Sequence, residues 1–335
     1  MAGVTTLRGQ DAAVRAFLAA LGGGALHHAW LLTGPEGVGK ATFARAAAMR
    51  LLAGAADPAS VSPETLDVPA DSVVAKLFAA GTHPDYRELR RLPKDPEKPG
   101  QDLARSIPIA QVRALLPMLA TAPSMSPRRV VVIDSADELE RPGASNALLK
   151  SLEEPPAGTI FLLVSHAPGR LLPTIRSRCR LLRFSALDGA DMASVLRAQL
   201  PDTGSDEIDA LVRAGDGSPG RALGYAGLDL GKIDAALERI ARAGDPGNGE
   251  RVKLSRALGG KAAQPRYEAF LERVPTVIAA SAAQRRGEPL RVALDAYAEA
   301  REIAAAARGL SLDAAATVFE LAGIVARLAE APDAR

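Results

Sequence analysis

The stretch LHHAWLLTGPEGVGKATFARAAAMRLL, residues 26–52, constrains the fold of this chain more than any other. A short apolar run leads into a glycine-rich turn, and a helical pattern with Phe43, Ala47 and Leu51 on one face follows. The order is strand, loop, helix. Within it Gly34-Pro35-Glu36-Gly37-Val38-Gly39-Lys40 has the G-x-x-x-x-G-K spacing of a Walker A loop. Gly37 and Gly39 can take tight-turn geometry that aims backbone N–H groups at phosphate, the helix N-terminus favours an anion, and Lys40 neutralises β/γ-phosphate charge. The same glycines would also serve simply to join strand to helix. An intact motif continues with serine or threonine, whose oxygen binds magnesium, whereas this chain has Ala41, and Thr42 comes one position late. Nucleotide binding over Gly34–Thr42 is therefore expected with a weakened magnesium shell, and binding must be separated from hydrolysis.

The remaining pattern extends the strand-helix alternation. Residues 72–89 read as a helix leading to a new strand, 109–120 as a helix and 91–102 as a polar, proline-rich surface excursion. Four β-branched residues, Val130 to Ile133, mark a buried parallel strand ending at Asp134. A carboxylate there fits the Walker B position and a weak magnesium contact, but structural capping is the competing role. Ser135, where an acidic residue would polarise water, is a poor base and argues for slow or absent hydrolysis. SNALLKSLEEPP is a helix stopped by Pro155-Pro156, and TIFLLVS is a second apolar strand. The alternation predicts a multidomain α/β plus all-α protein: a P-loop-type parallel sheet over 1–186, a small helical lid over 187–228 and a C-terminal helical bundle over 229–335.

Composition narrows the function classes. The 335 residues are 47% hydrophobic, enough for buried cores, and 41 Lys/Arg against 39 Asp/Glu give a net charge of only +2. No global basic signature points to nucleic acid. Arg170, Arg176, Arg178, Arg180 and Arg183 make a local positive patch without interleaved aromatics, so it carries no base-reading signal. One cysteine excludes an intramolecular disulfide framework, and with four scattered histidines it leaves no zinc-ligand cluster. No secretory pattern or membrane-length apolar run is present, so a reducing cytoplasm is expected. His83 reads as a core or capping residue and Cys179 as a packing residue. Lys150, Glu153 and Glu154 fall in different directions around a helix, which favours packing and communication over catalysis.

Taken in order, HHAWLLTGPEGVGKATFA, HPDY, VVVIDSADEL, SNALLKSLEEPP, IRSRC and GSPGRAL resemble the delta-prime family of bacterial DNA polymerase III subunits, in the clamp-loader branch of the AAA+ ATPases. The resemblance runs along nearly the whole chain. It implies an AAA+ domain, a helical lid and a C-terminal oligomerisation domain in a ring with gamma/tau and delta subunits. That ring would act on the sliding β clamp and primed DNA, at the replisome or nucleoid in the cytoplasm, without membrane contact. It further implies ATP or ADP at Gly34–Thr42, Asp134 at the Walker B position, Ser165 near sensor 1 and Arg221 as sensor 2. Ser177-Arg178-Cys179 resembles the SRC motif, with Arg178 an arginine finger acting in trans on a neighbour's ATP. Local hydrogen bonding, solvation and a surface salt bridge are the ordinary roles of Ser165, Arg221 and Arg178. Family members often carry a four-cysteine zinc module, which a chain with one cysteine cannot build. An active stand-alone AAA+ ATPase and a nucleic-acid-binding adaptor are the competing functions.

Overall fold

The computed structural model describes residues 7–24, 26–95, 97, 103–310 and 312–329. The chain divides into two compact units. The first holds the described residues through Asp202 together with Gly215–Arg221, and the second holds Thr203–Ala214 and the described residues from Ala222 onward. The segment expected as a lid, 187–228, is thus shared between the two units.

Among the described residues of the first unit, five strands form one parallel sheet in the order β2-β3-β4-β1-β5. In chain order the elements are α1 (Asp11–Gly22), β1 (Ala29–Thr33), α2 (Lys40–Ala56), α3 (Val73–Ala80), β2 (Tyr86–Arg90), α4 (Ile109–Arg113), α5 (Leu116–Leu119), β3 (Arg129–Asp134), α6 (Gly143–Glu153), β4 (Thr159–Ser165), α7 (Pro173–Arg176), β5 (Arg180–Arg183) and α8 (Gly189–Gln199). Because side chains alternate across a strand, β1, β3 and β4 feed two apolar layers. Leu31, Val131, Ile133, Phe161 and Leu163 join Leu148 and Leu152 of α6 in one of them. Elsewhere Trp30 packs edge-on against Phe17 of α1, and Phe17 against Phe43 of α2, at ring separations of 5.2 and 5.4 Å. Burial on both faces explains why β3 and β4 read as continuous apolar runs.

Register aligns the C-terminal ends of the central strands. Thr33 pairs with Ser165, and Asp134 with Val164, so the loop after β1, the end of β3 and the end of β4 open at the same edge. The helix expected over 109–120 is split into α4 and α5. Pro117, in the first turn of α5, has no N–H to donate to a carbonyl four residues earlier and restarts the chain instead. Without zinc-binding cysteines, residues 53–81 are held by other means: Arg50 donates to the Ser62 carbonyl at 2.8 Å, Val61 and Leu66 are buried, and Phe78 of α3 lies 4.4 Å from the Tyr86 ring.

In the second unit, the C-terminal part expected to be helical contains the helices Gln264–Ala282, Gly287–Leu310 and Ala314–Ala326. They follow Leu230–Ala243, whose Ile233, Ala236, Leu237 and Ile240 supply a buried stripe at helical spacing, and Gly249–Leu258. Arg273 makes a bidentate pair with Asp234 at 2.9 Å and donates to the Ala214 carbonyl, fastening three helices of this unit together. Among the described residues no helix is long and apolar enough to cross a membrane.

The HPDY segment is a structural clasp. Buried Asp85 accepts the Ser124 and Met125 N–H groups at 2.7 and 2.8 Å, tying the approach to β3 onto β2. His83 Nδ1 accepts the Asp85 N–H at 3.2 Å, so the neutral ring carries its proton on Nε2. Burial lowers the His83 pKa; Asp85 raises it in part and Arg87 lowers it further. With the folded value depressed, the unfolded chain binds the proton first, so stability falls as pH drops below about 6.5. Urea unfolding from about pH 7 to about pH 5 should show this loss, and His83→Gln should make it shallower. An equal loss in the variant would assign the effect to other groups.

Candidate functional site

The Walker A turn is bonded to its own chain along its carbonyl side. Lys40, at the start of α2 and only 2% exposed, donates from Nζ to the Gly34 carbonyl at 2.7 Å and also to that of Pro35. The Ser218 hydroxyl donates to the Glu36 carbonyl at 2.8 Å, the Gly220 N–H to Gly37 at 2.9 Å and the Gln10 amide to Val38 at 3.2 Å. Gln10 also donates to the Ser185 carbonyl beyond β5. The GSPGR segment leading into α10 (Pro219–Tyr225), which follows α9 (Ser205–Gly215), therefore sits directly on the loop. Contact is tight enough that a Cβ on Gly37, whose φ is +75°, would fall 2.3 Å from Ser218 Oγ. Arg221 donates its backbone N–H to the same Ser218 hydroxyl, which brings the expected sensor 2 residue to the loop.

This geometry suits a phosphate better than a magnesium ion. Gly37 and Gly39 both have positive φ, and α2 begins immediately after them, the arrangement that turns N–H groups toward an anion. Burial pushes the Lys40 pKa down to about 8 despite the opposing influence of Glu36, Asp137 and Asp134, and an anionic phosphate beside it would favour the charged form further. Val38 is buried and Pro35 and Glu36 are exposed, while Ala41 and Thr42 are half-buried in the first turn of α2. Ala41 offers no oxygen. Asp134 already faces a cation: Arg45 Nη2 lies 3.3 Å from its carboxylate while also gripping Glu88 at 2.6 Å, and Tyr86 donates to Glu88 at 2.9 Å. Burial raises the Asp134 pKa and Arg45 counters only part of that; for Glu88 burial acts the same way and is the largest single influence, but the hydrogen bonds and charge of Arg45, the Tyr86 hydroxyl and Arg90 together outweigh it and hold the carboxyl below its usual range. Among the described residues no group of three His, Cys, Asp or Glu side chains is arranged to hold a metal ion.

Ser165 is buried at the end of β4, beside the strand that feeds the loop. Its neighbour His166 donates its backbone N–H to Asp137 at 3.1 Å, and Ser135 donates its hydroxyl to the same carboxylate at 2.9 Å. Ser135 is thus a structural donor. A cleft of about 670 Å³ is lined by Thr33, Gly34, His166, Arg176, Cys179 and Arg183, among others, linking the start of the loop to the SRC segment. Burial pushes the Cys179 thiol up to about 12, so it is protonated near neutrality and acts as packing. Arg178, about 35% exposed, does not line this cleft. It meets Glu153 of α6 at 2.8 Å and the Thr174 carbonyl at 3.0 Å.

Sequence reading missed Arg45, Glu88, Gln10, Ser218 and His166. Arg45 has a local signal, since it follows Lys40 on the same helix, but its partners come from two separate strands. Gln10 and Ser218 act through contacts 28 and 182 residues away in sequence, which no local pattern reports.

A strand-loop-helix phosphate turn on a parallel sheet in the order β2-β3-β4-β1-β5, with helical elements beyond it, defines an AAA+-like P-loop fold. The chain belongs to the family described as "DNA polymerase III, delta subunit", whose profile matches residues 9–188. It is 38% identical over 200 residues to DNA polymerase III subunit delta' of Pseudomonas aeruginosa, covering 59% of this chain and 56% of that protein. The Escherichia coli protein of the same name is 38% identical over 148 residues, 44% of this chain and 41% of its own. The chain thus spans about half the length of the curated relatives it matches. Among solved structures, a DNA polymerase III gamma-subunit-related protein of Thermotoga maritima overlaps 90% of this chain and 94% of its own, at 14% identity and a TM-score of 0.43.

Helix propensity and packing make opposite predictions at Gly220. Alanine is a better helix former by about 1 kcal/mol. Yet its Cβ would stand 2.8 Å from Gly37 Cα. Gly220→Ala should therefore destabilise the chain by about 1–3 kcal/mol in urea unfolding, since backbone cannot yield as a flexible side chain can. A stabilised variant would mean that the loop and the GSPGR segment are not in contact in solution.

Proposed function

We propose that this chain is a delta-prime-type subunit of a DNA polymerase III clamp loader, helping ATP-driven loading of the sliding β clamp onto primed DNA. Its partners are gamma/tau and delta subunits, and it meets the clamp and DNA through the assembled complex, at the replisome or nucleoid in the cytoplasm. Arg178 acts in trans on ATP held by a neighbouring subunit. Its planar cation would stabilise charge developing on the transferred phosphate. The chain's own loop, Gly34–Thr42 with Ser165 and Arg221 nearby, would bind ATP or ADP as a structural element, without zinc and with little or no hydrolysis.

The observation that carries this reading is an imbalance between the two halves of the chemistry. The magnesium side of the chain's own site is disabled, because Ala41 has no ligand atom and Asp134 is engaged by Arg45, while Arg178 remains accessible. A stand-alone ATPase would need the reverse. An autonomous nucleic-acid adaptor is disfavoured by the small net charge and by an arginine patch whose aromatic neighbour, Trp30 beneath Arg180, is buried and offers no face to a base.

Reconstitution of the loader from gamma/tau, delta and this chain provides the test. Arg178→Ala should leave ring assembly intact and lower single-turnover ATP hydrolysis at the neighbouring site by roughly 10³-fold. Wild-type turnover and clamp loading with Arg178→Ala would reject the finger. The isolated chain should hydrolyse ATP at background rate, and magnesium-dependent turnover abolished by Lys40→Ala would instead support the stand-alone enzyme.

A further inference from the structure

The side chain that Arg178 meets within its own subunit is Glu153, on the last turn of α6. A carboxylate at a helix C-terminus faces the negative end of the helix dipole, so this position disfavours glutamate unless a cation answers it. Arg178 Nη2 does so at 2.8 Å, while Nη1 donates to the Thr174 carbonyl at 3.0 Å. The guanidinium is therefore held at two points, one on α6 and one on α7. Both supports are anchored. Leu148 and Leu152 of α6 share a buried cluster with Ile175 of α7, and His28 Nε2, at the entry to β1, bonds the Leu152 carbonyl at 3.1 Å. Burial, reinforced by the adjacent His27, lowers the His28 pKa, which favours a neutral ring with its proton on Nε2.

The Arg178 and Glu153 side chains are 35% and 42% exposed. An ion pair so open to water contributes little to stability. Its consequence is geometric, because a long arginine side chain has many rotamers and the two contacts select one of them. We propose that Glu153 is the positioning residue of the trans-acting finger, holding the Arg178 guanidinium in the orientation that a neighbouring subunit's phosphate meets. The inference rests on the finger role of Arg178. Glu153 itself touches no nucleotide; it acts through Arg178, whose remaining N–H groups are left to face the phosphate.

The test uses the reconstituted loader and single-turnover ATP hydrolysis at the neighbouring site. Glu153→Ala should lower the rate by roughly tenfold, as expected when a catalytic group loses its orientation, with the ATP concentration for half-maximal rate unchanged. Glu153→Gln keeps an acceptor oxygen and should restore the rate to within about threefold of wild type. In an Arg178→Ala background, Glu153→Ala should have no further effect, a non-additivity that general weakening of α6 would not produce. A wild-type or raised rate in Glu153→Ala, with Arg178→Ala impaired, overturns the positioning role and leaves the finger standing. The same proportional loss with and without Arg178 also overturns it. If Arg178→Ala hydrolyses ATP normally, the finger and its positioning residue fall together.

Discussion

Five consecutive backbone carbonyls, Gly34 through Val38, each accept a hydrogen bond from the chain's own groups. The rest of the site depends on that saturation. Satisfying these carbonyls from Lys40, Gln10, Ser218 and Gly220 fixes the turn between β1 and α2. Glycine is required at the contact itself, since Gly37 and Gly220 approach too closely for side chains. The result is a phosphate-type turn held from behind by residues of the N-terminal approach and of the GSPGR segment.

Charge is handled in the same economical way around the sheet edge. Arg45 spans Glu88 on β2 and Asp134 on β3, so two carboxylates that would repel share one cation. This gives Asp134 a cation within the chain. Arg178, ahead of β5, answers a single carboxylate, Glu153, and like Arg45 is partly exposed. The two arginines differ in the charge they answer: Arg45 bridges two carboxylates at the sheet edge, and Arg178 pairs with one.

Much of the fold was legible in the sequence because its signals were local. The apolar runs at 130–133 and 159–165, the loop from Gly34 to Lys40, and the helical stripes beyond residue 229 each declare themselves within a short window. Pro117 was equally visible, but the apolar spacing on both sides of it favoured one helix, and only the missing N–H decides for two. The site was half legible. The absence of a hydroxyl at Ala41 and of a carboxylate at Ser135 is visible in the sequence alone, whereas the Arg45 bridge to Glu88 and Asp134 depends on the strand order. The Glu153–Arg178 pair was hidden for another reason: helix geometry spreads Lys150, Glu153 and Glu154 apart, and only the packing of α7 on α6 shows which of them meets the SRC segment.

The division of labour between the chain's own site and its neighbour's is tested most directly by the structure of the assembled loader bound to a transition-state mimic of ATP hydrolysis. The account predicts the Arg178 guanidinium within about 3 Å of the mimic held by the adjacent subunit, with Asp134 still paired to Arg45. It is contradicted if Arg178 lies away from that phosphate while Asp134 releases Arg45 and coordinates magnesium in this chain's own loop.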